Sequence, residues 1–342
     1  MLLEPGGVLF RGNPGRMGSA PDKRGQVHGR PPEQNSDAQY SAIIAIGNSF
    51  TTVLLSIKTG KAFLDRIQLN CYSRAPNFIP PPNRINAVPE RLCTIQTQAN
   101  GLAVLTIPGS SATSAGELLE ALRRQTHALA GKSDIKGLIL TGPESGFCRY
   151  PQIRCATAHE AATLSSFGQQ VLFGLEKIGK PCIAVINGVC EGLGLEIALA
   201  CDFIVAAQTA SFGLPGIATG LIPFCGGSQR LARLVGKSKA KELIYSGEMI
   251  DAVEAHRIGL INRLYPQGEA VAQAEKLLEH ICTRSPNAIR IGGEVVNAGY
   301  DIDLQTACML ERDAFALCFA SFDQREGMQA FLDKRQPQFK GE

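Results

Sequence analysis

Residues 180–231 carry the pattern in this chain best suited to chemistry. The apolar run Pro181-Cys182-Ile183-Ala184-Val185-Ile186 reaches Asn187-Gly188, and Glu191-Gly192-Leu193-Gly194-Leu195-Glu196 then leads into Ile197-Ala198-Leu199-Ala200. This reads as a buried strand turning through glycines into a helix. Such a turn aims backbone N–H groups and a helix N-terminus at one spot, where they favour developing negative charge. Glu196 falls in the first helical turn beside that spot, and a carboxylate there could move a proton. A plainer account fits the same residues: the glycines permit tight packing and Glu196 complements the helix dipole. Cys190 and Cys225 lie near this stretch. Covalent chemistry would need an activating base, and His127, His159, His256 and His280 are linked to neither cysteine by a motif. Arg230, Arg233, Lys237, Lys239 and Lys241 sit on helical patterns and read as solvated faces.

Positioning these groups requires strands alternating with helices. Residues 102–107 form a short apolar run, and Ser114-Ala115-Gly116-Glu117 then reads as a capping box opening a helix. Gly137–Thr141 and Cys182–Ile186 are continuous apolar runs suited to buried strands, with a helical pattern over 157–178 between them. Helical patterns dominate from Gly227 onward, one opened by the Asp251-Ala252-Val253-Glu254 box, with a short strand expected near 260–264. The order predicts an α/β core followed by a helical C-terminal part.

A chain of 342 residues that is 44% hydrophobic buries a substantial core, which excludes a disordered or fibrous protein. A formal charge of +3 is too small for a nucleic-acid footprint. The apolar stretches at 41–46 and 53–57 fall far short of the ~20 residues that span a bilayer. Eleven cysteines without a Cys-x-x-Cys pair, and five scattered histidines, give no zinc pattern, so reduced and mostly buried thiols are expected. Residues 1–40 are rich in Gly, Pro, Arg, Asn and Gln without helical or strand period, and read as a disordered tail or a misassigned start. Arg11, Arg16, Arg24 and Arg30 suit a transit peptide, but Glu4, Asp22, Glu33, Asp37 and the scarcity of serine argue against one. Residues 41–99 form an N-terminal extension without assigned role, with strands expected at 43–46 and 52–57 before the Ile79-Pro80-Pro81-Pro82 run.

Over residues 100–342 several motifs agree in order with one known family. The strand, glycine turn and helix of 180–202 are followed by Phe212-Gly213-Leu214-Pro215 and by Gly220-Leu221-Ile222-Pro223-Phe224-Cys225-Gly226-Gly227-Ser228-Gln229-Arg230-Leu231. Val235-Gly236-Lys237, residues 247–255, Gly259-Leu260-Ile261-Asn262 and residues 323–335 complete the match. This stretch resembles the crotonase, or enoyl-CoA hydratase/isomerase, superfamily, and is closest in flavour to the short-chain enoyl-CoA hydratases.

The resemblance implies a spiral of ββα repeats over 100–265 and a C-terminal helical trimerisation region over 266–342, assembled as a trimer or a dimer of trimers. It further implies an acyl-CoA thioester substrate in fatty acid metabolism, coenzyme A entering only as part of that substrate, no tightly bound cofactor, no metal, and no nucleic-acid or membrane partner. Two backbone N–H groups would polarise the thioester carbonyl, and two glutamates would handle water and the α-proton.

Carried over by position, Glu196 is the first catalytic glutamate, and the oxyanion N–H of the Leu193-Gly194 turn falls on Leu193. The second glutamate is missing, because Pro215 is followed by Gly216. The other oxyanion donor should sit in a Phe-x-Ala-Gly-Ala-Asp-like turn, whose counterpart Phe147-Cys148-Arg149-Tyr150-Pro151-Gln152-Ile153 puts Pro151, which has no N–H, at the donor position. A shift of one residue would bring in Tyr150 or Gln152, and Glu191 or Tyr150 could take over a proton step. Gly109-Ser110-Ser111 replaces the family's Asn-Arg-Pro segment. Phe331 and Lys334 fall where the C-terminal helix touches the CoA of a neighbouring subunit.

The expected function is therefore a cytoplasmic enzyme of enoyl-CoA hydratase type, adding water to a 2-enoyl-CoA or removing it from a 3-hydroxyacyl-CoA. The alternatives are a one-glutamate member that isomerises, decarboxylates or hydrolyses an acyl-CoA, and a catalytically weakened CoA-binding paralogue or structural partner.

Overall fold

The computed structural model describes residues 8–11, 39–46, 49–56, 92–109, 114–149 and 151–342. The chain divides into two units, Met1–Phe78 and Ile79–Glu342. In the first, β1 (Val8–Arg11), β2 (Gln39–Ile46) and β3 (Ser49–Ser56) form an antiparallel sheet in the order β1-β2-β3. β2 contains the strand expected at 43–46, and β3 covers 52–56 of the other, whose last residue lies outside the described residues. β1 departs from the reading of 1–40 as a stretch without strands: Val8 pairs with Ile44 and Arg11 with Ser41. Its four residues are too few to show a period, and its partner lies some thirty residues along the chain.

The second unit begins with β4 (Thr94–Thr97), β5 (Leu102–Thr106), α1 (Ala115–Ala130), β6 (Gly137–Thr141), α2 (Ala158–Glu176) and β7 (Cys182–Ile186). It continues through β8 (Val189–Glu191), α3 (Leu193–Ala198), β9 (Phe203–Ala207), β10 (Ser211–Gly213) and a 3₁₀ turn over Pro215–Thr219. Next come α4 (Gly227–Val235), α5 (Lys237–Ser246), β11 (Ile250–Asp251), α6 (Ala252–Arg257) and β12 (Arg263–Tyr265). Helices α7 (Ala270–Cys282), α8 (Pro286–Tyr300), α9 (Leu304–Cys318) and α10 (Phe322–Leu332) complete it.

The six-stranded sheet has the order β12-β9-β7-β6-β5-β4 and is parallel except for the β4–β5 pair. A smaller sheet has the order β11-β10-β8, its β8 following β7 and its β10 following β9. The expected ββα spiral is explicit in β7-β8-α3 and β9-β10-α4. Earlier turns keep it in reduced form, since Phe147 bridges Cys190 between β6 and α2, and Ser114 bridges Gln152 before α1.

Every residue of β6 and β7 is buried, as expected of parallel strands covered on both faces. Alternate residues face two cores. Leu138, Leu140, Ala184 and Ile186 pack toward α1 and α2, while Ile139, Ile183, Val185 and Val205 meet Ala270, Ala274 and Leu278 of α7. The predicted caps are in place: Ser114 and Glu117 form the reciprocal box of α1, and Asp251 Oδ1 accepts the Glu254 N–H at 2.7 Å at the start of α6. β4 lies ahead of residue 100 and pairs with β5, so the sheet starts within the segment that carried no assigned role. The strand expected near 260–264 is β12, displaced toward Tyr265 by the Ile261-Asn262 turn, in which Asn262 Oδ1 accepts the Ile204 N–H at 2.9 Å.

Candidate active site

β8 ends at Glu191, and Gly192 turns the chain with φ +57° and ψ −124°, a conformation open to glycine but not to residues with a Cβ. Leu193 is then the first residue of α3, so its N–H belongs to a turn that has no intrahelical acceptor. Gly194 is required by close approach, since a Cβ there would collide with the carbonyl oxygen of Phe147. Glu196, one turn in, is 1% exposed.

The Glu196 carboxylate does not complement its own helix. It crosses to the segment ahead of α4, where Oε1 accepts the N–H groups of Cys225 and Gly227, each at 2.7 Å, and Oε2 accepts that of Phe224 at 3.4 Å. Burial pushes its carboxyl above the ordinary glutamate range, while the N–H groups of Gly227, Cys225 and Phe224 and the nearby Arg230 guanidinium pull the other way. Burial prevails, giving a carboxyl suited to both taking and giving a proton.

Glu196 forms part of the wall of a cavity of about 280 Å³. Leu193, Leu214, Leu221, Ile222, Pro223 and Phe224 make it largely apolar, and among the described residues Glu196 is the only ionisable one in its lining. Gly216, in the 3₁₀ turn, also lines it. Pro151 and Gln152 lie on the same wall. The Gln152 carbonyl accepts the Ala115 N–H at 2.9 Å, and its side-chain oxygen accepts from Arg154 Nε and Nη2 at 3.0 and 2.7 Å. Tyr150, Ser110 and Ser111 lie outside the described residues. Glu191 is buried but is not part of the cavity lining, and its Oε1 sits 3.5 Å from Arg149 Nε.

One reading changes. Arg230 is not on a solvated face: its side chain is 13% exposed, Nε donates to Glu176 Oε1 at 2.6 Å, Nη1 donates to the Cys225 carbonyl at 2.9 Å, and its guanidinium carbon lies 5.2 Å from the Phe173 ring centroid. The helical period placed Arg230 on α4, but α2 covers that face. Arg233 and Lys239 also have partners, Asp301 at 3.2 Å and Glu242 and Glu254 at 2.8 and 3.2 Å. The thiols follow the sequence reading. Cys190 and Cys225 are buried, and burial pushes both well above the usual thiol range, with Glu196 adding to the effect at Cys225, so neither is a thiolate nucleophile. Ten cysteines among the described residues are free thiols, five of them buried.

Phe331 lies in the last turn of α10 and Lys334 two residues past its end, both outside the cavity lining, with Phe331 79% exposed. Sequence reasoning missed Ser165 and Gln169 on α2, both of which donate to the Phe224 carbonyl, at 2.6 and 3.3 Å. Their spacing of four residues marks one helix face, but nothing local shows what that face meets.

The enoyl-CoA hydratase/isomerase family model matches residues 100–342. A probable mitochondrial enoyl-CoA hydratase of Dictyostelium discoideum is 37% identical over 255 residues, 72% of this chain and 91% of that one. A crotonyl-CoA hydratase of Syntrophomonas wolfei is 43% identical over 183 residues, 54% of this chain and 70% of that one. Among solved structures, an enoyl-CoA hydratase from Bacillus anthracis superposes with TM-score 0.66 at 31% identity, covering 73% of this chain and all of that one. The chain belongs to the enoyl-CoA hydratase/isomerase family, and it is an acyl-CoA-processing enzyme of the hydratase type.

Proposed function

We propose that Glu196 is the general acid/base of this enzyme, adding water to a 2-enoyl-CoA or removing it from a 3-hydroxyacyl-CoA, with the Leu193 N–H polarising the thioester carbonyl and Gly194 permitting the turn. The observation that carries the reading is a raised carboxyl on the wall of an apolar cavity that is also lined by Leu193, the first residue of α3. An apolar wall strengthens both the carboxyl and the oxyanion donor by excluding water. In the hydration direction, ionised Glu196 takes a proton from water as it attacks C3. The electrons of C2=C3 move onto the thioester oxygen facing the Leu193 N–H, and the resulting enolate is protonated at C2. With glycine at 216, Glu196 returns that proton itself or a second water supplies it.

Glu191, Tyr150 and Gln152 remain the candidates for shared proton or oxyanion work. We further place Phe331 and Lys334 against the CoA of a neighbouring subunit in a homotrimer or dimer of trimers. The exposed Leu304, Phe315, Leu317 and Phe319 of the C-terminal helices and the segment after α9 support that assembly. We also propose a cytoplasmic location, and among the described residues no group of three or more His, Cys, Asp or Glu side chains is placed to hold a metal ion.

Gly216 and Pro151 on the cavity wall favour a second reading, a one-glutamate member that isomerises, decarboxylates or hydrolyses an acyl-CoA, or a CoA-binding partner with little turnover. The test is ultraviolet loss of the crotonyl-CoA enoyl-thioester band, run beside calorimetric CoA binding. Turnover that falls about 10²- to 10⁴-fold in Glu196→Gln, with CoA affinity kept, is expected. Binding without turnover on crotonyl-CoA would overturn the hydratase assignment and direct the same assay to β-keto and malonyl thioesters.

A further inference from the structure

The peptide joining Phe224 to Cys225 is used at both ends. Its N–H donates to Glu196 Oε1 at 2.7 Å, and its carbonyl accepts the Ser165 hydroxyl at 2.6 Å, with Gln169 Nε2 at 3.3 Å from the same oxygen. A trans peptide directs its N–H and C=O in opposite directions, so anchoring the carbonyl on α2 aims the N–H at Glu196. Hydrogen bonding at the carbonyl also polarises the N–H and makes it a stronger donor.

The neighbouring peptides are held in the same manner. The Cys225 carbonyl accepts Arg230 Nη1 at 2.9 Å, and the Gly226 carbonyl accepts the N–H groups of Gln229 and Arg230 at 3.1 and 3.0 Å. Ser165, Gln169, Phe173 and Glu176 recur at spacings of four, four and three, which puts them along one face of α2. Each touches this segment or the Arg230 that anchors it. Gly168, on the adjoining line of the helix, leaves room for the Cys225 thiol, because a Cβ there would collide with Sγ.

We propose that Ser165, backed by Gln169, is a positioning residue for Glu196, acting through the Phe224–Cys225 peptide to hold the carboxylate in place and in its ionised form. This rests on Glu196 being the group that exchanges the proton. Three other ionisable groups bear on it: Arg230 from α4, the buried Cys225 thiol from the segment itself, and Glu176 from α2 through its pair with Arg230. Ser165 carries no charge, so its removal alters the hydrogen bonding alone.

The experiment is a difference infrared titration of the Glu196 carboxyl, its band assigned as the one lost in Glu196→Gln, in wild type, Ser165→Ala, Ser165→Thr and the Ser165→Ala/Gln169→Met double variant. Weakening one charge-assisted hydrogen bond should raise the midpoint by about 0.4 to 1 pH unit in Ser165→Ala, at least as far in the double variant, and not in Ser165→Thr, which keeps the hydroxyl. Crotonyl-CoA hydration by the same proteins should lose about two- to tenfold in kcat with KM unchanged, the acid limb moving with the midpoint. An unmoved midpoint in Ser165→Ala and in the double variant overturns the proposal. So does an equal shift in Ser165→Thr, which would mean that repacking of α2 is responsible. If the midpoint moves but Glu196→Gln retains full turnover, the positioning stands and the catalytic assignment of Glu196 fails.

Discussion

Gly227 lies so close to Glu196 that a Cβ built on it would sit 2.7 Å from the Glu196 Cγ and 2.9 Å from Oε1. The same residue donates its N–H to that carboxylate, so the acid and the first turn of α4 are in direct contact, and only a residue without a side chain fits between them. Gly227→Ala should therefore push Glu196 off its donors. Overpacking of this kind costs about 1–3 kcal/mol. A lower urea midpoint together with a loss of crotonyl-CoA turnover is the expected outcome, and an alanine variant matching wild type in both would contradict this geometry.

Burial holds the Glu196 carboxyl above the ordinary glutamate range, and this has a consequence for folding. A carboxyl with a raised pKa in the folded state binds its proton more tightly folded than unfolded. Its contribution to stability is thus greatest in acid and falls as pH climbs from about 4.3, the unfolded value, through the raised value. Glu196→Gln, which has no charge to bury, should gain stability relative to wild type across that same window. Chemical denaturation from pH 4 to pH 7.5 checks the sign: a gap moving in favour of wild type would mean that the three N–H donors outweigh burial.

Gly216 stands on the cavity wall, at the position proposed for a second glutamate. A Cβ at this position would lie 3.3 Å from the Leu221 carbonyl oxygen, so a side chain enters if that loop gives by a few tenths of an ångström. Gly216→Glu should raise crotonyl-CoA hydration at least about tenfold, toward the 10²–10⁴ that a general acid or base supplies. Gly216→Gln is the control: an equal gain from the amide would assign the effect to filling the cavity and not to proton transfer.

Glu176 carries the charge that pairs with Arg230, and Arg230 Nη2 is buried without a hydrogen-bond partner. Glu176→Gln leaves a largely buried guanidinium with less compensation. A destabilisation of about 1–3 kcal/mol is expected from thermal or urea unfolding. Loss of the same size in Arg230→Met, with no further loss in the double variant, would show that the two residues act as a pair.

Much of the scaffold was legible because its signals are local. The Ser114 and Asp251 caps are recognised within four residues, and the continuous apolar runs of β6 and β7 announce strands buried on both faces. Glu196 was legible as well, through its place after the glycine turn. Its environment was not. The donors that hold it lie 28, 29 and 31 residues further along the chain, and Ser165 lies 59 residues from the carbonyl it binds.

The same distinction explains the corrections. Period alone places Arg230 on α4 and cannot tell that α2 covers it, and a four-residue strand such as β1 is defined by its partner. What the sequence determined by itself was therefore the alternation of strands and helices after residue 100, the Ser114 and Asp251 caps and the place of Glu196 in the first turn after the glycines, all written in neighbours a few positions apart. Only the tertiary structure decided which backbone N–H groups meet that acid, how far burial shifts it and what lines its cavity. Those depend on closing long loops, and loop closure is governed by the packing of the whole sheet and its helices.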